Sequence, residues 1–175
     1  TYTLVIAADR AVNHEFELND TPETAIPLPM NVGINGSLAD KMLSLDKDYY
    51  EFTVEGDGYI DLTFSHELIE EDKSGWNIRI YKPLEDGSMQ ELVRKVSKWN
   101  QEIITVENLG LAPGTYYVCI DGDSMYYNSA SYCVKWEFNE SGSFESEFNG
   151  GLEWADNVNI GEYYNGAIIS SDVSY

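Results

Sequence analysis

Glu15, Glu17 and Asn19 alternate with apolar residues, so in an extended segment their side-chain oxygens point one way. Three hard donors aimed together suit calcium, which takes about six to eight oxygens from carboxylates, amides, backbone and water. Asp20, with Asp46 and Asp48 where the next strand begins, would complete the shell, while Phe16 and Leu18 are expected to turn inward to the core. Without a cation the same group is a set of crowded negative charges, a repulsion that a divalent ion reverses. The plainer reading is a solvated stretch of a very acidic surface. The pattern returns at Glu145, Glu147 and Asn149, but Gly150 stands where Asp20 would, which predicts a weaker second site.

Other chemistries fit the residues poorly. Neither His14 nor His66 lies at a spacing that would hold zinc or serve a nucleophile, and there is no Gly-rich phosphate loop or nucleophile elbow. Carboxylate pairs would permit a glycoside hydrolase by residue type. With 31 Asp plus Glu against 10 Lys plus Arg, however, any two acids are neighbours by default. No enzymatic activity is expected of the chain. Its net charge of −21 repels nucleic acid and anionic lipid, so neither is expected as a partner. The apolar fraction of 43% belongs to a folded protein rather than an acidic tail, and no apolar run is long enough to span a membrane.

The elements that must position these residues are short alternating segments punctuated by Gly, Asn, Asp and Pro, which predicts an all-β fold. Strands are expected over 48–54, 59–65, 76–82, 102–106, 115–121 and 131–138. Tyr116, Val118 and Ile120 share one face, as do Tyr132, Val134, Trp136 and Phe138, with Asp121, Lys135 and Glu137 opposite. Trp76 and Trp136 carry the inward parity. Tyr59, Tyr81 and Tyr117 carry the outward one and, with Trp99, Tyr126 and Tyr127, form a candidate ligand-binding surface. Outward tyrosines also serve as plain cross-strand packing. Cys119 and Cys133 fall on the solvent parity of two strands joined by the 122–130 loop, so a bond across one hairpin is open to them.

Sliding the sequence on itself by 130 residues brings Glu15, Glu17, Asn19, Ala25 and Gly36 onto Glu145, Glu147, Asn149, Ala155 and Gly166, and Tyr2 onto Tyr132. The reading that follows takes 1–14 as the last strand and exit of a preceding repeat and 15–144 as a complete sandwich with its calcium linker at 15–24. Residues 145–175 then start a following repeat. Residues 1–8 and 155–175 are expected to lie outside the central core.

The runs Glu15-Phe-Glu-Leu-Asn-Asp-Thr, Ile34-Asn-Gly-Ser-Leu, Asp46-Lys-Asp-Tyr-Tyr-Glu-Phe and Leu111-Ala-Pro-Gly-Thr-Tyr-Tyr-Val, in that order, resemble the bacterial pre-peptidase C-terminal domain. That resemblance covers the central repeat, and its opening recurs in the last thirty residues. It implies a jelly-roll-like antiparallel β-sandwich appended to secreted proteases and other exported proteins. It also embraces the collagen-binding domains of clostridial collagenases, with calcium held in the segment leading into the sandwich. The expectation is a non-catalytic, extracellular, calcium-stabilised module in contact with adjacent repeats and with an extracellular polymer, either a collagen-like protein or a polysaccharide. The alternative is a structural spacer or processing segment with no ligand of its own.

Overall fold

The structure is a computed structural model that describes residues 13–38, 46–68, 75–97, 100–122 and 131–168. Among these residues nine strands follow one 3-10 turn at Pro22–Thr24: β1 (Ile26–Pro27), β2 (Ile34–Ser37), β3 (Lys47–Val54), β4 (Gly58–His66), β5 (Trp76–Pro83), β6 (Met89–Val96), β7 (Ile103–Leu111), β8 (Gly114–Gly122) and β9 (Ser131–Glu140). They form a five-stranded sheet in the order β1-β3-β8-β5-β6 and a four-stranded sheet in the order β2-β9-β4-β7. Between these nine strands every pairing is antiparallel except β1 with β3. The two sheets pack as a jelly-roll-like sandwich.

Period-two alternation builds the core. Tyr50, Phe52 and Val54 of β3 meet Tyr116, Val118 and Ile120 of β8, and all six are buried against Ile60, Leu62 and Phe64 of β4 and Val134 and Trp136 of β9. Trp76 and Trp136 lie in the core as their parity predicts, at 0% and 3% exposure. The Trp136 indole still finds an acceptor, donating from Nε1 to the Leu28 carbonyl at 2.8 Å.

Departures from the sequence reading have local causes. β6 escapes the period because consecutive Leu92 and Val93 are both buried, the register slipping by one residue where Ile80 faces Val93 and Tyr81 faces Glu91. β7 continues to Leu111 rather than stopping near 106. Asn108, at φ 55°, accommodates an extra residue opposite Asp61, whose Oδ1 accepts the Asn108 N–H at 2.8 Å. The expected hairpin joining Cys119 to Cys133 does not exist. β8 belongs to one sheet and β9 to the other; Cys119, expected on the solvent side, is fully buried, Cys133 is half-buried, and both are free.

Candidate metal centre

The segment leading into the sandwich is fixed before its carboxylates are. The Asn35 N–H donates to the Asn13 carbonyl at 2.8 Å and the Glu15 N–H to the Asn35 carbonyl at 2.9 Å, laying the chain parallel to β2 through the His14–Asn35 bridge. Glu15 then passes over Gly36. A Cβ on Gly36 would sit 2.5 Å from Glu15 Oε2 and 2.4 Å from the Tyr132 ring, so the approach requires glycine. The carboxylate accepts from the Ser37 N–H on one oxygen. On the other it accepts from the Tyr50 and Tyr132 hydroxyls, each at 2.9 Å.

Below it, Asp48 is fully buried and its Oδ2 lies in hydrogen-bond contact with the Tyr132 hydroxyl. Burial first, then the negative charge of Glu15, pushes the Asp48 carboxyl up to about 9, with Asp46 adding to the effect. Hydrogen counting agrees with that direction. Two phenols supply two protons for four contacts among Glu15, Tyr50, Tyr132 and Asp48, so a proton or a cation is wanted on Asp48.

Glu15, Glu17 and Asp48 each bring a carboxylate oxygen within 4.8 Å of the others. Asp48 Oδ1 is buried without a hydrogen-bond partner, and so are both amide atoms of the fully buried Asn19. Asn19 is held beside β3 by its carbonyl, which accepts the Tyr49 N–H at 2.9 Å. An orphaned buried oxygen within the carboxylate trio, and a second on the segment that carries two of its members, fit a hard cation. Asp20 is exposed and Asp46 half-buried, and neither joins the trio. Phe16 and Leu18 do not turn into the core; they are 48% and 72% exposed, because the segment's own sandwich already covers its opposite side through Glu15 and Asn19. Sequence reading missed Tyr50, Tyr132 and Ser37. The match of Tyr2 to Tyr132 in the repeat register was the available signal.

The second acidic segment reproduces the anchor 130 residues on. Asn165 donates to the Ser143 carbonyl at 2.7 Å, Glu145 to the Asn165 carbonyl at 2.8 Å, and Ala167 to Glu145 Oε1 at 2.7 Å. A Cβ on Gly166 would meet Glu145 Oε1 at 2.2 Å. Glu145 Oε2 here accepts from the Asn149 amide at 3.3 Å instead of from tyrosines. Glu147, at 4% exposure, lies against β7, its N–H donating to the Gly110 carbonyl at 2.8 Å.

The tyrosines fall into separate settings. Tyr59 is covered by Phe144, ring centroids 4.7 Å apart. Tyr81 and Tyr117 are cross-strand neighbours on the outer face of the five-stranded sheet, their hydroxyls donating to Glu91 and Glu51. Trp99, Tyr126 and Tyr127 lie outside the described residues. A groove of about 680 Å³ runs beside the far end of β3, lined by Pro27, Met30, Glu51, Glu55, Phe138 and Glu140 among others. Asp48, the carboxyl raised furthest among the described residues, is not in it.

No family model matches the chain, and no curated protein matches it. Among solved structures it is similar to the pre-peptidase C-terminal domain of a collagenase from Bacillus anthracis, at 22% identity over 68% of this chain and 100% of that one, with a TM-score of 0.48. It is also similar to a protein of Sulfurospirillum deleyianum, at 10% identity over 62% of this chain and 98% of that one, with a TM-score of 0.37.

Proposed function

We propose that this chain is a non-catalytic accessory module of an exported protein, its sandwich stabilised by a calcium ion held between the leading segment and β3. The observation that carries the reading is the pair of buried, unpartnered oxygens, Asp48 Oδ1 and Asn19 Oδ1, in a segment where Glu15, Glu17 and Asp48 converge. Glu15 and Asp48 would bind as carboxylates, Glu17 would close the solvent side, and Asn19 would supply an amide oxygen. Asp20 and Asp46 would act through charge alone, or through bridging water. The ion supplies positive charge where the fold otherwise has to keep a buried carboxyl protonated. It thereby ties residues 13–19 to the body of the sandwich.

Glu145, Glu147 and Asn149 form the corresponding start of a second site, belonging to a further repeat of the same kind. Extracellular calcium, at millimolar levels, suits a module outside the cell and even a modest site. The Tyr81 and Tyr117 face is the surface offered to an extracellular polymer, either a collagen-like protein or a polysaccharide. Both rings sit on a rigid sheet and present polar edges.

A thermal melt with and without calcium tests the proposal. An ion bound by the folded state alone adds about 2.7 kcal/mol at a hundredfold excess over its dissociation constant, roughly 7–10 °C for a domain of this size. Replacing Glu15 and Glu17 together by Gln should remove that gain. A melting temperature unmoved by millimolar calcium would sink the proposal.

A further inference from the structure

The two acidic segments stand in one register, yet each touches a different side of a sandwich. Residues 13–19 hold the body that follows them: Glu15 reaches Tyr50 and Tyr132, and the Asn19 carbonyl takes the Tyr49 N–H. Residues 143–149 hold the body that precedes them: the Glu147 N–H donates to Gly110, Leu111 bridges to Glu147, and Phe144 covers Tyr59. Exposure changes accordingly. Glu17 is exposed where Glu147 is buried, and Leu18 is 72% exposed where Phe148 packs against the core. In the other direction, Leu28 and Leu38 are 2% and 8% exposed, while the residues in their register, Val158 and Ile168, are 68% and 88% exposed.

We infer that such a segment is a junction piece gripped on both sides at once, by β7 of the sandwich before it and by β2, β3 and β9 of the sandwich after it. The bare surface around Leu18 then receives the β7 edge of a preceding sandwich of the same kind, and residues 156–168 receive the body of a following one. The occupant is a second sandwich of this kind because three backbone-donated hydrogen bonds, to the Asn13 carbonyl, the Asn35 carbonyl and the Glu15 carboxylate, recur at Ser143, Asn165 and Glu145, and because the uncovered apolar positions are those that the sandwich itself buries. Consecutive sandwiches would stack in one fixed orientation with the acidic trio in the seam. The inference rests on the repeat reading proposed above and extends it to a docking geometry.

Residue 167 stands in register with 37, so a lengthened chain made of residues 1–167 followed directly by residues 38–144 supplies the missing body. Hydrogen exchange with the calcium chelated should show amides 147–149 and 165–167 protected at least about a hundredfold more than in the 175-residue chain. Gly110→Val should remove most of that gain, since the added Cβ would lie 1.7 Å from the Glu145 carbonyl oxygen and 2.9 Å from the Phe144 ring. Protection unchanged on lengthening, protection indifferent to Gly110→Val, or an appended body that stays unfolded would each overturn the junction. In the 175-residue chain, Leu18→Asp and Val158→Asp should leave the melting temperature within about a degree, and a large fall for either counts against it. Calorimetry of the lengthened chain separates the two proposals. Calcium binding that is absent throughout removes the calcium reading, while protection under chelation still decides the docking.

Discussion

Residues 13–37 and 143–167 adopt the same local clasp, but one closes over a sandwich and the other does not. Both lay an acidic segment parallel to a short strand, and both seat a carboxylate on a glycine. Around Glu15, however, the acceptor oxygens meet buried phenols and a buried acid, whereas Glu145 turns to the amide of its own neighbour Asn149. The clasp is therefore local in origin, set by the glycine and the alternating acids. The electrostatic stress that makes a cation useful is tertiary and comes from Asp48, Tyr50 and Tyr132.

The sharpest way to break this comparison is to remove matched apolar groups. Leu28→Ala should cost about 3 kcal/mol in urea denaturation, because a buried leucine leaves a cavity beside Trp136, whereas Val158→Ala should cost less than about 0.5 kcal/mol. Equal losses would mean that the second segment is already part of the core. The glycines give the next contrast. Gly36→Ala drives a methyl into the immobile Tyr132 ring and should cost about 2 kcal/mol. Gly166→Ala pushes first on the half-exposed Glu145 carboxylate, which can turn toward solvent, and should cost about 0.5 kcal/mol or less by the same measurement.

The buried acid should also be visible in the pH dependence of the calcium-free protein. Asp48, facing Glu15, Asp46 and the Tyr50 and Tyr132 hydroxyls, has its folded pKa raised from near 4 to about 9. A raised pKa means the folded state holds the proton more tightly than the unfolded state. Its stabilising share is therefore complete below about pH 4 and is lost as pH climbs toward 9. In chelator, denaturation midpoints should fall between pH 6 and 8, by up to about 1.4 kcal/mol per pH unit from this group. Asp48→Asn should flatten the slope, and calcium, which binds the ionised form, should remove it. A slope that Asp48→Asn leaves untouched would assign it to the general acidity of the surface.

Much of this arrangement could be read in advance where alternation is unbroken, as along β3, β8 and β9. It was hidden wherever one residue slips the register, at Leu92 in β6 and Asn108 in β7, because a bulge moves every later side chain to the other face. The carboxylates Glu15, Glu17 and Asp48 announced themselves by type and spacing. Tyr50 and Tyr132 did not, since an inward tyrosine looks like core until the strands are placed side by side. Two errors had a common source: which sheet a strand joins, and which body a segment faces, are tertiary facts. The missing cysteine hairpin and the outward Phe16 and Leu18 both follow from that.

The smallest expected effect bears on why the two clasps should differ as ion sites. The obvious difference in sequence is Asp20 against Gly150, yet Asp20 is exposed and stands outside the trio, while Asp48 is buried within it. A carboxylate acting through water contributes about 1 kcal/mol per unit charge even at 4 Å, and less when farther away. Asp20→Gly, which makes the first segment mimic the second, should therefore weaken binding of the divalent ion by no more than about thirtyfold in titration calorimetry. Asp48→Asn removes a ligand whose desolvation the fold has already incurred and should weaken binding at least about a hundredfold. A hundredfold loss from Asp20→Gly would reverse the argument. The aspartate would then be a ligand, and Gly150 rather than the lack of a buried acid beside Glu145 would explain a weak second site.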